Sequence, residues 1–170
     1  MREKTVTLTE IIRLAVIDIF LIAIAYMLPV LAHRAAFPLY WFDPMRLVVL
    51  AGLLWTANRK NALLLALTVP LFTFWLTGHP VMAKGLLIAA ELTVNLLLFF
   101  WMEKKCGSLF VGMLLSILLS KLFYYLLKWL LLSTLLPAQP LVGVGLGLQL
   151  AVAVVISLCF ARVASRRKKA

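Results

Sequence analysis

Long apolar segments fill most of this chain and leave little room for anything else. Hydrophobic residues occupy 65% of 170 positions and the mean hydropathy is +1.08, far above the values of an ordinary soluble domain. A membrane-crossing helix needs about 20 apolar residues, and about six such segments fit into this length. We therefore predict an all-α integral membrane protein, a six-transmembrane-helix bundle in which residues 1–170 form a single membrane domain.

Turn residues and helix caps divide the apolar sequence into six expected helices. Asp43-Pro44 is a strong helix start, because Asp caps free amides and Pro suits the first helical position. Gly78 and Pro80 end a helix, and Pro70 should kink the helix that contains it. The expected helices are 11–31, 44–57, 61–77, 81–102, 109–133 and 141–162. The second rises only about 21 Å, too little to cross about 30 Å of hydrocarbon upright.

The basic residues divide unevenly between the two sides of the predicted bundle. If the N-terminus is cytoplasmic, twelve Lys and Arg residues lie on inner segments, whereas the outer segments carry only Arg34, Arg46 and Lys84. This asymmetry predicts that both termini are cytoplasmic. The formal charge of +11 is not gathered on an aromatic-studded surface, so we expect these basic residues to face the rim of the lipid bilayer and not a nucleic acid.

Two packing features are expected inside the bundle. Asp18 interrupts the first apolar helix and should face a polar partner, because an exposed carboxylate in lipid is costly. Stripes of small residues, on which another helix can approach closely, are Gly112, Ser116 and Ser120 in the fifth helix and Gly143, Gly147 and Ala151 in the sixth.

Polar side chains also fall at middle or outer depth of the last three expected helices, where ionisable groups suggest a functional site. They are Glu91, Asn95, Lys121, Tyr124, Tyr125, Lys128 and Gln149. The four from the fifth helix share one face by their spacing. A buried ion pair between Glu91 and Lys121 would satisfy both charges without any ligand, and Lys128 could extend to the outer interface. The sequence does not decide between these structural roles and a role in binding a ligand.

The residues around Lys128 favour a particular ligand chemistry. Tyr124, Tyr125 and Trp129 lie beside it in sequence, and such a group suits a pocket that stacks a ring and neutralises an anion. We therefore expect an anionic or zwitterionic small molecule. In the first outer loop Tyr40 and Trp41 belong to an aromatic group that is either an interfacial belt or a hinged lid over a pocket.

The sequence gives no support for catalysis. It has no GxSxG or HExxH motif and no paired catalytic carboxylates, so we expect no enzyme, no catalytic residue and no cofactor. Cys106 and Cys159 show no metal-ligand spacing, and His33 and His79 fall in outer loops as interfacial residues. No metal site is expected.

Three runs in the first half of the chain carry a family resemblance. FPLYWFDPMRLVVLAGLL, then LTVPLFTFWLTGHPVM, then the ELTVN of the glutamate-bearing helix resemble the substrate-binding S components of energy-coupling factor (ECF) transporters. The resemblance implies a bacterial cytoplasmic (inner) membrane protein that captures a vitamin or similar micronutrient from outside. It also implies a transmembrane coupling protein and two ABC ATPases as partners. The first outer loop, 33–42, would be a gate, and loop 77–81 with helices four to six would form the pocket.

These arguments together define an expected substrate site. Its residues are Tyr40, Trp41, Trp75, His79, Glu91, Asn95, Lys121, Tyr124, Tyr125, Lys128, Trp129 and Gln149. Two alternatives remain. One is a non-transporting scaffold similar to the rod-shape membrane protein MreD, in which the Glu91–Lys121 pair only holds helices together. The other is a solitary small-molecule transporter that works without ATPases.

Overall fold

The protein is all-helical over the residues that its structure, a computed structural model, describes: 7–35, 39–77, 82–132 and 145–169. Within these ranges there are six α-helices, one short 3₁₀ helix and no strand. The helices are α1 (Leu8–Ala35), the 3₁₀ helix (Leu39–Phe42), α2 (Pro44–Thr56), α3 (Arg59–Thr77), α4 (Met82–Lys105), α5 (Leu109–Leu132) and α6 (Leu146–Lys169). The expected all-α architecture is confirmed for this part of the chain.

Four helices run further than the sequence pattern predicts: α1 covers Leu8–Ala35 rather than 11–31, and α3 begins at Arg59 rather than at 61. α4 continues to Lys105 rather than ending at 102, and α6 continues to Lys169 rather than ending at 162. The added residues are mainly Lys, Arg, Glu, Ser and Ala, most of which are good helix formers, and no Gly or Pro stops the helix. Lys104 and Lys105 also lie in the last turn of α4, where cations interact favourably with the helix dipole.

Three of the helices are long and apolar enough to cross a membrane. Over the described part of the chain these segments are Met82–Lys105, Leu109–Leu131 and Leu146–Arg167. Their exposed faces are apolar too, because large hydrophobic side chains such as Leu97, Leu122 and Val155 are more than half exposed. An exposed apolar surface of this kind needs a lipid surrounding. The chain is therefore a helical membrane protein.

The short helix α2 packs against α1 and α3, and its ends can be placed along α4 by two side-chain pairs. Arg46 in its first turn contacts Glu91 near the middle of α4. Arg59, which starts α3, places Nη2 2.9 Å from Glu103 Oε2 near the end of α4. At about 1.5 Å of rise per residue, residues 46–56 of α2 rise about 15 Å and residues 91–103 of α4 rise about 18 Å, so α2 corresponds to about half of α4. α2 therefore starts near the middle of the bundle, where Asp43 joins it to the 3₁₀ helix.

The stripe of small residues on α5 packs against α4 as predicted. Ser116 and Ser120 are fully buried, and a Cβ placed on Gly112 would lie 3.7 Å from Met102 Cβ. Small side chains let the two backbones approach closely. In lipid no hydrophobic effect drives two helices together, so their association depends on such close van der Waals contact. This prediction is confirmed.

The second predicted stripe, on α6, is wrong as an internal packing surface. A Cβ on Gly147 would meet nothing within 4 Å, Ala151 is exposed, and Gly143 lies outside the described residues. α6 packs through another face, which is formed by Ala153 and by the larger side chains Val152, Ile156 and Phe160. Their larger contact area provides more dispersion attraction than a glycine face offers.

Asp18 has the polar partner that its position in an apolar helix requires. Asn61 on α3 donates a hydrogen bond from Nδ2 to Asp18 Oδ1 at 2.8 Å. The expectation for Asp18 is therefore confirmed, and the bond ties α1 to the start of α3. Pro70 lies inside α3, which runs unbroken from Arg59–Thr77; the kink expected there stays a prediction.

Candidate functional site

Four charged side chains meet where α2 begins, beside the middle of α4 and α5. Arg46 Nη2 pairs with Glu91 Oε1, and Arg46 Nε lies 3.1 Å from Asp43 Oδ2. Lys121 Nζ donates to both carboxylates, at 3.3 Å to Asp43 Oδ2 and 3.5 Å to Glu91 Oε1. We call these four residues the charge cluster. It contains two cations and two anions, which come from α2, α4, α5 and the residue that precedes α2.

The charge cluster has a closed side and an open side. The side chains of Arg46 and Glu91 are 1% and 8% exposed, whereas those of Lys121 and Asp43 are 23% and 22% exposed. Removing charges from water costs several kcal/mol for each ion, and good pairing must offset that cost. The buried pair Arg46–Glu91 therefore depends on the more exposed residues Lys121 and Asp43, because these supply its remaining charged partners.

Asp43 performs a different task from the one its sequence context predicts. It was expected to cap the free amides of α2, but its side chain makes no capping hydrogen bond. Its carboxylate faces Arg46 and Lys121 instead. The residue takes φ 53°, ψ 58°, a left-handed conformation that Asp tolerates better than most residues. The capping prediction is wrong because two cations provide stronger partners than neutral amides.

Arg46 is the main residue that sequence reasoning missed. It was counted among the outer basic residues, and that placement is wrong, because it is 1% exposed inside the bundle. The predicted contact of Glu91 with Lys121 exists, but Glu91 also pairs with Arg46. The available signal was the spacing of Asp43 and Arg46, three residues apart at the start of an apolar helix, which puts both on one face.

Two buried nitrogens of Arg46 make no hydrogen bond to a described residue: Nε, which has only its ion-pair contact with Asp43, and Nη1. Arg46 Nη1 is fully buried and has no hydrogen-bond acceptor among the described residues. A buried donor without an acceptor costs about 1–3 kcal/mol, and more when the group is charged. Most buried polar groups in folded proteins are satisfied by protein, water or a ligand. The unsatisfied nitrogen therefore marks a position where an acceptor is missing.

A second polar contact joins α5 to α6. Tyr125 donates its hydroxyl to Gln149 Oε1 at 2.7 Å, and its ring meets that of Tyr124 edge to face at a centroid distance of 5.5 Å. The structure thus brings together three of the residues expected in the substrate site. The two rings also lie between Lys121 and Lys128 in the sequence of α5, so they line the face that connects the two lysines.

Asn95 and Glu91 lie one turn apart on α4 and bind different partners. Asn95 is 1% exposed and donates from Nδ2 to Ser116 Oγ on α5 at 3.0 Å. Ser116 in turn donates to the Met113 carbonyl at 2.8 Å. These hydrogen bonds satisfy polar atoms between α4 and α5. They hold the two helices in register one turn of α4 beyond the charge cluster.

Lys128 lies inside the bundle rather than at its edge. The residue is 5% exposed, although long lysine side chains near helix ends usually extend toward water. Lys84, in the first turn of α4, is seven residues before Glu91, and Lys128 is seven residues after Lys121. Because Glu91 contacts Lys121 across these consecutive helices, the two lysines lie at a similar level, in the halves of α4 and α5 that extend beyond the start of α2.

The expected tryptophans occupy the periphery. Trp75 is 82% exposed, Trp129 is 65% exposed and Trp41 is 40% exposed. Such exposure is typical of Trp in the interfacial belt of a membrane protein. The substrate role assigned to them remains a prediction. His79 lies outside the described residues, as does the side chain of Tyr40, whose backbone belongs to the 3₁₀ helix.

Comparisons with known proteins assign the chain to no family. No family model matches the chain, and neither a curated protein nor a solved structure is significantly similar to it. In the parts of the chain that the structure describes, no three His, Cys, Asp or Glu side chains form a group that could hold a metal ion. What the fold and the site define is a class: a helical membrane protein with a buried, balanced charge cluster at the start of a half-length helix.

Proposed function

We propose that this protein is the membrane-embedded substrate-binding subunit of an uptake system for a vitamin or similar micronutrient. In this proposal six helices cross a bacterial cytoplasmic membrane with both termini inside. The solute binds between α4, α5, α6 and the start of α2, and a separate ATPase module drives its release into the cell. The proposed partners, a transmembrane coupling protein and two ABC ATPases, follow from the resemblance to ECF S components.

The observation that carries the proposal is the start of α2 near the middle of the bundle. The chain before it is a 3₁₀ helix, and Asp43 has a left-handed backbone. Irregular backbone at membrane depth is tolerated only where it is buried in protein or lines a cavity. Helices that begin or break at mid-depth commonly form solute sites in membrane transporters.

The charges next to this helix start support an anionic or zwitterionic solute. Arg46, Lys121 and Lys128 are cations in the interior or partly buried, and Tyr124 and Tyr125 place aromatic rings among them. Rings with nearby cations suit a flat solute that carries a negative group. Ionisable side chains at this depth are costly and mark functional sites in membrane proteins.

The scaffold alternative has one observation in its favour. The charge cluster contains equal numbers of positive and negative groups that contact each other, so it could hold α2, α4 and α5 together without a ligand. A scaffold of that kind would need neither a solute nor ATPases. The two candidates therefore differ in what they bind rather than in how they fold.

Co-purification and uptake distinguish the candidates. The affinity-tagged chain is isolated in mild detergent from membranes of its native host, and its partners are identified by mass spectrometry. We expect two ATPases and one transmembrane coupling protein in fixed stoichiometry, and ATP-dependent solute accumulation when this complex is placed in vesicles. Recovery of cell-wall or division proteins without ATPases would contradict the proposal and favour the scaffold. A chain that accumulates solute without ATPases would be a solitary transporter.

A further inference from the structure

We propose that the C-terminal end of α6 is a binding site for an anionic phospholipid, with Arg162 and Arg166 as the residues that bind its headgroup. The two arginines line a surface depression of about 430 Å³, together with Leu158, Ala161 and Ser165. All five residues come from α6. The inference is independent of the proposed uptake role, because it concerns the lipid around the bundle and not a solute inside it.

The residues that line the depression form one stripe along α6. They follow each other at intervals of three or one residues, the spacing of neighbours on a single helix face. Arg162 and Arg166 are both exposed and lie one turn apart, about 6 Å along the helix axis. A guanidinium presents a planar fork of donors that matches phosphate oxygens. Two such groups at this spacing can therefore bind the free oxygens of one phosphate diester.

No carboxylate of the described chain compensates these two arginines. The sequence has six acidic residues, and none of them follows Glu103. The ion pairs among the described residues are those of the charge cluster and the pair Arg59–Glu103. The positive charge at the end of α6 is therefore left to attract an anion from the surroundings of the protein.

The level of the depression along α6 matches the position of a lipid headgroup. The segment Leu146–Arg167 is long and apolar enough to cross a membrane, and the depression lies at its end. On the apolar side of the arginines, Val155 and Leu158 are 58% and 45% exposed, so they offer a surface for an acyl chain. A phospholipid can thus place its phosphate against the arginines and its acyl chain along the apolar face of α6.

An anionic phospholipid fits this surface better than a free phosphate or an acidic protein segment does. The lining combines charge with the apolar Leu158, which a free phosphate would leave uncovered. An acidic protein segment could cover Leu158 and Val155 only by entering the hydrocarbon, where carboxylates are costly. Basic residues next to a membrane span attract lipids of net negative charge, and the exposed Arg167 adds to this attraction.

The test compares phosphatidylglycerol with phosphatidylcholine, which has the same phosphate diester but no net charge. The full chain is purified in mild detergent and stripped of lipid, and native mass spectrometry measures the affinity for each lipid in a titration. We expect phosphatidylglycerol to bind about tenfold more tightly or better, because each basic residue near the membrane surface strengthens the binding of an anionic lipid. Glycerol 3-phosphate and a polyglutamate peptide, at a concentration equal to that of the lipid, should not displace it.

Two double variants locate the headgroup site. Arg162→Gln with Arg166→Gln should lower the affinity for phosphatidylglycerol about tenfold or more. Lys104→Gln with Lys105→Gln is the matched control, because it also removes two exposed positive charges but lies outside the depression. Its affinity should stay within about threefold of the wild type, since charges away from the site are screened.

The control lies at the same end of the bundle as the proposed site. Phe99 of α4 and Phe160 of α6 meet edge to face at a centroid distance of 5.2 Å, so the two helices end on the same side. A further measurement needs no substitution. Hydrogen exchange of the wild type should slow at the amides of residues 158–166 when phosphatidylglycerol is added, and not when phosphatidylcholine is added.

Several results would overturn the lipid site. Equal affinity for the two lipids, equal losses in the two double variants, or unchanged hydrogen exchange at residues 158–166 would each do so. Displacement of the lipid by glycerol 3-phosphate would assign the arginines to a free phosphate, and displacement by polyglutamate would assign them to an acidic protein segment. None of these results touches the co-purification of ATPases, so the uptake role and the lipid site stand or fall separately.

Discussion

Glu91 is the more buried of the two carboxylates in the charge cluster. Its Oε1 accepts from Arg46 and from Lys121, and Arg46 is almost inaccessible to solvent. Removal of one partner of a buried ion pair leaves the other charge uncompensated, and this costs more than the pair itself contributes. At the scale of single residues, then, the stability of the buried cluster depends on this carboxylate.

Glu91→Gln should destabilise the protein by about 3–5 kcal/mol, because Arg46 loses its buried counter-charge. The free energy of unfolding is measured by denaturant titration in mild detergent. Glu103→Gln is the control: it breaks the Arg59–Glu103 pair, in which Arg59 is 50% exposed, and such pairs contribute only about 0.2–1 kcal/mol. Equal losses in both variants would refute the buried, interdependent cluster.

Asp43→Asn separates helix capping from ion pairing. Asn caps helices as well as Asp does and also tolerates the left-handed backbone, so a capping residue could be exchanged at no cost. Because the Asp43 carboxylate contacts Arg46 and Lys121 instead, we expect a loss of about 1–3 kcal/mol. An unfolding free energy equal to that of the wild type would mean that the charge of Asp43 is dispensable.

At the scale of elements, the position of α2 determines where the cluster forms. Gly52 allows α2 to pack closely, since a Cβ there would collide with Leu65 Cδ1 of α3 and lie 3.2 Å from Leu21 Cδ1 of α1. α2 is thus held between two helices by a residue without a side chain. The two pairs Arg46–Glu91 and Arg59–Glu103 then fix its level along α4.

Gly52→Val should force α2 away from α1 and α3, with a loss of about 1–3 kcal/mol from overpacking. The additional change Leu65→Ala frees space and should restore part of that loss, as a thermal-unfolding series in detergent can measure. Gly147→Ala is the control, because a Cβ there meets nothing within 4 Å and should change stability by no more than about 1 kcal/mol. A Gly52→Val protein as stable as this control would contradict the close packing of α2.

The same element explains what the sequence could and could not predict. Helix existence followed from apolar runs and from local signals such as Asp43-Pro44, and α2 does begin at Pro44. The polar residues of α4 and α5 could be selected because charges in apolar helices are rare. Arg46 could not be placed, because its burial depends on how far α2 reaches into the bundle. That depth is a tertiary property, whereas the sequence near Arg46 looks like an ordinary helix start.

At the scale of the whole molecule, the charges form two zones. Basic residues such as Lys104, Lys105 and Arg167 are exposed near helix ends, where they suit the cytoplasmic face of a membrane. The charge cluster and Lys128 lie inside the bundle. A solute-binding subunit needs this division, because the outer zone orients the protein while the inner zone binds. In a scaffold, the inner zone would serve only to hold helices together.

Native mass spectrometry of the intact protein, released from detergent after isolation from its host, tests the central claim most directly. We predict that the wild-type chain and the control Lys60→Met carry the mass of one bound anionic small molecule, and that Lys128→Met loses it while its unfolding temperature in detergent stays close to that of the control. A bare wild-type chain, or an unchanged bound mass in Lys128→Met, would contradict the claim that the buried cations of this bundle bind a solute.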